Sequence, residues 1–310
     1  MAFNIIPDKT SIDFLGKKYI AFALSAALIV ATIFIMFSKG LNFGIDFTGG
    51  ILIEARLEHK ADLGDLRKSL KAKNIGDISI QTFGQDNNIL VRIGSQEGTE
   101  KERLASINTV KSVLAERLDG SIEYRKVDYV GPKVGDELIK SGSLSMILAV
   151  IAILIYIWLR FEWHYGVGAV VALIHDAILT LGFFSFTQIE FNLSSIAAIL
   201  TIIGYSINDS VVIFDRIREN VRKYKKMPID ELLNRSINDN LARTLLTSLT
   251  TLMALVALVI MGGDVVRSFS LSALFGVVVG TYSSIYIAAP ILDYMQLRQV
   301  TAEDSQKASA

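Results

Sequence analysis

The chain reads as a polytopic α-helical membrane protein, six transmembrane helices with one small α+β domain inserted between the first and the second. Half of its 310 residues are hydrophobic (51%), and the charged ones are gathered into a few segments instead of being spread along the chain. Six runs are long and apolar enough to span about 30 Å of hydrocarbon, which takes roughly 20 helical residues. Between the first two lies a polar stretch of about a hundred residues, the size of one small domain.

The elements follow in order. Residues 1–18 form a tail carrying Lys9, Lys17 and Lys18, and residues 19–37 the first span. That apolar run is longer than a signal-peptide core, and no small-x-small cleavage site follows in residues 38–41, so it reads as an uncleaved helix. Residues 38–138 form the inserted domain. Gly50–Leu57 alternates like a strand, Ala61–Lys73 is an amphipathic helix, and Ile78–Phe83 and Ile89–Ile93 flank turn residues Gln85–Asn88 as a hairpin. Glu100–Leu118 is a second helix and Ile122–Val130 a last strand. The order β-α-β-β-α-β is the split βαβ, ferredoxin-like arrangement, one antiparallel sheet with two helices on one face. That fold hosts many functions and names none.

Both junctions between domain and membrane are glycine-rich: GLNFGIDFTGG (Gly40–Gly50) and YVGPKVGDEL (Tyr129–Leu138). Glycine permits positive φ and close backbone approach, and Pro132 stiffens the second segment. Hinges and rigid turns that align the first strand both fit these residues.

Residues 139–293 hold the other five spans: Ser141–Leu159, Tyr165–Phe186, Leu193–Phe214, Leu241–Met261 and Phe269–Leu292. The loop at 215–240 carries Arg216, Arg218, Arg222, Lys223, Lys225, Lys226 and Arg235, whereas residues 187–192 carry no Lys or Arg. By the positive-inside rule the basic loop is cytoplasmic. Counting from it places the N-terminus and the tail at 294–310 in the cytoplasm and the inserted domain outside.

Lys plus Arg equals Asp plus Glu at 31 each, so net charge points to no nucleic acid. The absence of cysteine excludes disulfides, thiolate metal sites and cysteine nucleophiles. His59, His164 and His175 are too scattered for a local metal-ligand spacing. No GxxxxGK[ST], HExxH or GxSxG motif occurs, so the expectation is no enzyme, no cofactor and no ATP hydrolysis. Any work the chain does then draws on a partner or an ion gradient.

Polar residues inside the spans carry the functional signal. Asn208 and Asp209 sit in the fourth, Asp209 about six residues, or roughly 9 Å of helix, inside the polar boundary near Asp215. An ionised carboxylate among lipid tails costs roughly 3 kcal/mol or more, so such a residue marks ion or substrate movement. Asp209 is the first candidate proton carrier; the alternative is a structural carboxylate held by Arg243 or hydroxyls. Arg243 opens the fifth span, and Thr244, Thr247, Ser248 and Thr251 follow at helical spacing as a hydroxyl stripe suited to a water path or to packing. His175 and Asp176 fall near the middle of the third span, as a proton relay or as a buried hydrogen-bonded pair. Ser272, Gly276 and Gly280 make a small-residue ridge on the last span, a helix-packing surface open to a partner.

Several motifs resemble one family. GIDFTGG (Gly44–Gly50) and VGPKVG (Val130–Gly135) resemble signatures of the SecD/SecF family of the bacterial Sec export machinery, and GYSINDSVVIFDRIREN (Gly204–Asn220) is similar to the fourth-span motif of its SecF side. RFEW (Arg160–Trp163), HDAILTLG (His175–Gly182) and RTLLTSLTTL (Arg243–Leu252) extend the match over nearly the whole chain. The resemblance implies half of an RND-like transporter, paired with SecD in the bacterial inner membrane, its domain periplasmic. It implies association with the SecYEG channel, YajC and YidC, with H+ as coupling ion and the proton motive force completing preprotein translocation after the SecA ATP-driven step. The residues matching Asp209 and Arg243 belong to the family's proton pathway, and Asp46, Gly49, Gly50, Gly131 and Pro132 to its junction motifs. Two other readings remain: half of an RND-like exporter of small molecules or lipids, and a passive scaffold linking SecD to the channel.

Overall fold

A computed structural model describes residues 10–83, 85–94, 99–118, 120–295 and 297. Lys9 and most of the two predicted tails lie outside the described residues. The chain divides into two compact units: Phe43–Ser145 with Glu190–Leu193, and the remainder.

The first unit is built on a four-stranded antiparallel sheet: β1 (Gly50–Leu57), β2 (Ile78–Phe83), β3 (Gln85–Ile93) and β4 (Ile122–Val130), in the order β2-β3-β1-β4. β1 lies inside the sheet, pairing on one side with β3 and on the other with β4. Ile51, Ile53 and Ala55 share a buried core with Ile89, Val91 and Ile93 of β3 and with the two domain helices (Leu63–Lys71 and Glu100–Arg117), through Leu66, Leu70, Val110 and Leu114. Both helices begin at side-chain caps, Asp62 on the amides of Gly64 and Asp65, and a Thr99/Glu102 capping box. The opposite face carries Leu52 and Leu90, packed with Ile45 from the one-turn helix Ile45–Thr48. This is the predicted ferredoxin-like arrangement. The expected turn at Gln85–Asn88 is strand instead, because Asn88 pairs with Arg56 of β1 and Asn87 Nδ2 donates to the Leu57 carbonyl at 3.0 Å. Tertiary pairing here overrides the turn preference of asparagine.

Among the described residues six helices are long and apolar enough to cross a membrane. In chain order, counting every α-helix, they are α1 (Lys18–Lys39), α5 (Pro132–Arg160), α6 (Trp163–Thr187), α7 (Leu193–Lys223), α8 (Ile229–Met261) and α9 (Gly263–Ser283); the intervening numbers, α2 to α4, are the one-turn helix and the two domain helices. After α9 come a π-helical turn (Ser284–Ala288), one more α turn (Ala289–Ile291) and a 3-10 turn (Leu292–Met295). Pro290 has no amide hydrogen to give to the turn before it, and the wider turn lies just ahead of it.

Two predicted loops turn out to be helix. The basic segment at 215–240 is mostly the ends of α7 and α8, leaving residues 224–228 between them. Ile213, Phe214, Ile217 and Val221 face Leu232, Leu233, Ile237 and Leu241 in one core, so both helices keep an apolar stripe beyond the hydrocarbon-length run. The second junction is likewise helical from Pro132, a residue tolerated in the first turn. Segment 12–15, ahead of α1, is tied to α8: Asn234 Oδ1 accepts the Phe14 and Leu15 amides at 2.8 and 3.0 Å, and Asn238 pairs with both backbone groups of Ile12.

Candidate functional site

Two buried carboxylates organise the helical unit. Asp176 of α6 is fully buried, and each of its oxygens is occupied. Oδ1 lies 2.9 Å from His175 Nδ1, while Oδ2 accepts Ser206 Oγ of α7 at 2.5 Å and Ser283 Oγ of α9 at 2.7 Å. The tautomer of His175 decides which atom donates in that contact. His175 Nε2 is buried without a hydrogen bond. Three helices thus converge on one side chain.

Asp209 lies one turn along α7 from Ser206 and is only 6% exposed. Its Oδ1 accepts Thr244 Oγ1 of α8 at 2.8 Å, and its Oδ2 is buried with no hydrogen-bond partner. Between the two carboxylates runs a line of serines. Ser284 Oγ, in the π-helical turn, sits 3.0 Å from Ser210 Oγ and 3.3 Å from the Ser206 carbonyl, which it reaches as donor. Ser210 and Ser206 flank Asp209 on the same helix.

The other predicted site residues separate. Asn208 is exposed and points away from the cluster, since adjacent helical residues lie about 100° apart. Arg243 makes no ion pair with Asp209; it lines an open polar groove of about 510 Å³ together with Asp215, Arg216, Glu219, Asp239 and Asn240. Within that groove Arg216 binds Asp239 at 2.8 Å and Glu219 at 2.7 Å. The hydroxyl stripe is divided: Thr244 and Ser248 are buried, whereas Thr247 is exposed and Thr251 half-buried. Thr247 and Thr251 return their hydrogens to carbonyls of their own helix. Ser248 belongs to a second polar knot, 2.7 Å from Thr281 Oγ1 and receiving the Tyr205 hydroxyl at 3.1 Å. The ridge of small residues on α9 is covered from within: a side chain at Gly276 would strike Ile202, and one at Gly280 would meet Ser206 at 3.1 Å. It packs α9 against α7 and is not left open to a partner.

Sequence reasoning missed Ser206, Ser210, Ser283 and Ser284. Two signals pointed to them: serines three residues before and one after Asp209, and the run Thr281–Ser284 inside an apolar span. Among the described residues no cluster of His, Cys, Asp or Glu is arranged to hold a metal ion.

At the first junction the glycines are built into turns. Gly49 has φ +67° and Gly50 φ +119°, and a side chain at Gly50 would run into the Ile93 carbonyl. Asp46 Oδ2 accepts the Leu193 amide at 2.9 Å. Arg92 of β3 lies 3.5 Å from Glu190, whose carboxyl burial pushes up, against the pull of Arg92. Gly131 accepts the Gly135 amide at 3.0 Å, as the start of α5 requires, and Pro132 is the first residue of that helix.

Comparison with known proteins follows the same lines. The family described as "Protein export membrane protein SecD/SecF, C-terminal" matches residues 109–298, and the "SecD/SecF GG Motif" matches residues 34–61. The chain is 50% identical over 290 residues to the protein translocase subunit SecF of Rickettsia bellii (strain OSU 85-389), covering 93% of this chain and 95% of that one. It is equally 50% identical to the SecF subunit of Rickettsia rickettsii (strain Sheila Smith), covering 93% of each. Among solved structures it is similar to SecDF, a translocon-associated membrane protein from Thermus thermophilus, with TM-score 0.84 and 35% identity. That match covers 95% of this chain but 40% of the longer SecDF chain.

Proposed function

The chain belongs to the SecF side of the SecD/SecF family of protein export membrane proteins, and from that premise we propose that it is a proton-coupled subunit of the Sec translocase. It is a multi-pass membrane protein with a role in Sec translocation. In the proposed reading it pairs with SecD in the bacterial inner membrane, with its sheet domain periplasmic and both termini cytoplasmic. The pair joins SecYEG, with YajC and YidC, and uses the proton motive force to complete preprotein movement after the SecA step. H+ is the coupling ion.

The observation that carries this reading is the unequal pair of oxygens on Asp209. Thr244 fixes Oδ1 and with it the rotamer, while Oδ2 is buried without a hydrogen bond. An ionised oxygen left so is costly inside a membrane protein, and binding a proton relieves the cost. Arg243, the residue before Thr244 on α8, brings its positive charge to the polar groove on that side. Asp176 plays a different part. Its oxygens are already filled by donors from three helices, so it ties α6, α7 and α9 together around the serine line.

The test is Asp209→Asn in cells lacking the native protein, followed by pulse-chase translocation of a preprotein. Export slows while the subunit still assembles with SecD at normal levels. Unchanged export would leave the chain a scaffold.

A further inference from the structure

The segment Glu190–Leu193 joins two transmembrane helices, yet it folds as part of the same compact unit as the sheet domain. Four contacts within that unit hold it. The Gly44 amide donates to the Phe191 carbonyl at 2.8 Å, and the Phe47 ring stacks on Phe191 with centroids 5.8 Å apart. Arg92 of β3 reaches Glu190, and Asp46 accepts the amide of Leu193, the first residue of α7. A carboxylate at that position meets a helix amide that has no partner within the helix, and the helix dipole favours its charge. Asp46 itself is held in a one-turn helix whose Ile45 is packed on the sheet. From Leu193, α7 continues without interruption to Asp209, about 24 Å along its axis.

We propose that Asp46 is a positioning residue: with Phe47 and Arg92 it clamps the start of α7 into the sheet domain, so that a displacement of that helix end is delivered to the domain directly and not lost in a free loop. The clamp stays closed throughout the cycle. This rests on the proton reading of Asp209 for the energy that moves α7, while the clamp has its own test.

Asp46→Asn keeps an acceptor oxygen for the Leu193 amide and removes the charge; Asp46→Ala removes both. In cells lacking the native protein, Asp46→Ala slows preprotein export roughly tenfold, the factor one hydrogen bond to a charged group represents, while Asp46→Asn, which keeps a neutral hydrogen bond, falls between wild type and Asp46→Ala. A disulfide supplies the control that separates clamping from folding. The chain has no cysteine, and a Cβ at Gly44 lies 3.2 Å from that of Asn192, close to the range a disulfide needs, and 2.5 Å from Glu190 Oε1, whose flexible side chain must turn aside, so the reduced pair is the reference for the oxidised one. The oxidised Gly44→Cys/Asn192→Cys pair restores export to Asp46→Ala and leaves an otherwise wild-type chain unchanged. Three results overturn the proposal: normal export by Asp46→Ala, an Asp46→Asn defect equal to that of Ala, or arrest of the otherwise wild-type chain by the oxidised pair. Asp209→Asn measured alongside keeps the two readings apart. Normal export there sinks the proton carrier and leaves the clamp standing, whereas a defect there with normal Asp46→Ala sinks the clamp alone.

Discussion

Removing the Ser283 hydroxyl asks what state Asp176 is in. The two serine contacts to Oδ2, at 2.5 and 2.7 Å, fall in the range of charge-assisted O–H···O⁻ bonds. Hydrogen bonds between membrane helices average only about 0.6 kcal/mol by double-mutant cycles, whereas a charged acceptor raises the value to about 1.5–3 kcal/mol in proteins generally. Ser283→Ala therefore costs about 1.5–2 kcal/mol in the wild-type chain and about 0.6 kcal/mol once Asp176→Asn has removed the charge. The difference, about 1 kcal/mol, is the coupling between serine and carboxylate. It is measurable by reversible detergent unfolding, with the tryptophans Trp158 and Trp163, both on helices of this unit, as fluorescent reporters. Equal costs in the two backgrounds would refute the reasoning. The Ser283 hydroxyl would then be spending its hydrogen on the Gly280 carbonyl, 3.1 Å away, and Asp176 would not be an anion held by its neighbours.

Other outcomes follow from single contacts. Gly50→Ala, at φ +119° and against the Ile93 carbonyl, destabilises the sheet domain by about 1–3 kcal/mol, read as faster amide exchange in β1 and β3. Asn234→Leu removes the acceptor of the Phe14 and Leu15 amides and loosens the segment ahead of α1 by about 1–2 kcal/mol, seen as protease cleavage near residue 14. The Glu58 carboxyl is held below its usual value by the Ser121 amide and hydroxyl. A depressed folded value contributes stability above the unfolded value near 4.5 and loses it as pH falls through the folded one, so acid weakens the domain. Glu58→Gln flattens that acid limb, and domain melting at pH 3 against pH 7 in both proteins checks it.

Architecture was readable because each element announces itself locally. The edges of β1, β2 and β4 coincide with the alternation in the sequence, and the first five apolar runs each lie in one long helix, while the sixth runs past α9 into the π, α and 3-10 turns. Helix ends were misjudged wherever the apolar stripe continued among charges: Ile217 and Val221 are spaced by Arg216, Arg218, Glu219 and Arg222, which mask them in any average over a window. The site was half legible. An acidic residue in a span is visible by its cost, so Asp176 and Asp209 stood out, but their donors come from other helices. Ser206 and Ser283 are 77 residues apart in number and meet only when α7 and α9 pack. Asn208, beside Asp209 in sequence, is exposed because neighbours in sequence face different directions on a helix.

The π-helical turn at Ser284–Ala288 holds one residue more than an α-helix of the same length would. That surplus works as a phase shifter. It sets the azimuth of everything before it, Thr281, Ser283 and Gly280 included, against the buried Ala288, Ala289 and Leu292 after it. Winding the same residues as an unbroken α-helix would rotate one side of the helix about 100° against the other. Ser283 would leave Asp176, and the Gly280 notch would turn away from Ser206. The sixth span is thus keyed to the fourth by its winding number as well as by its side chains.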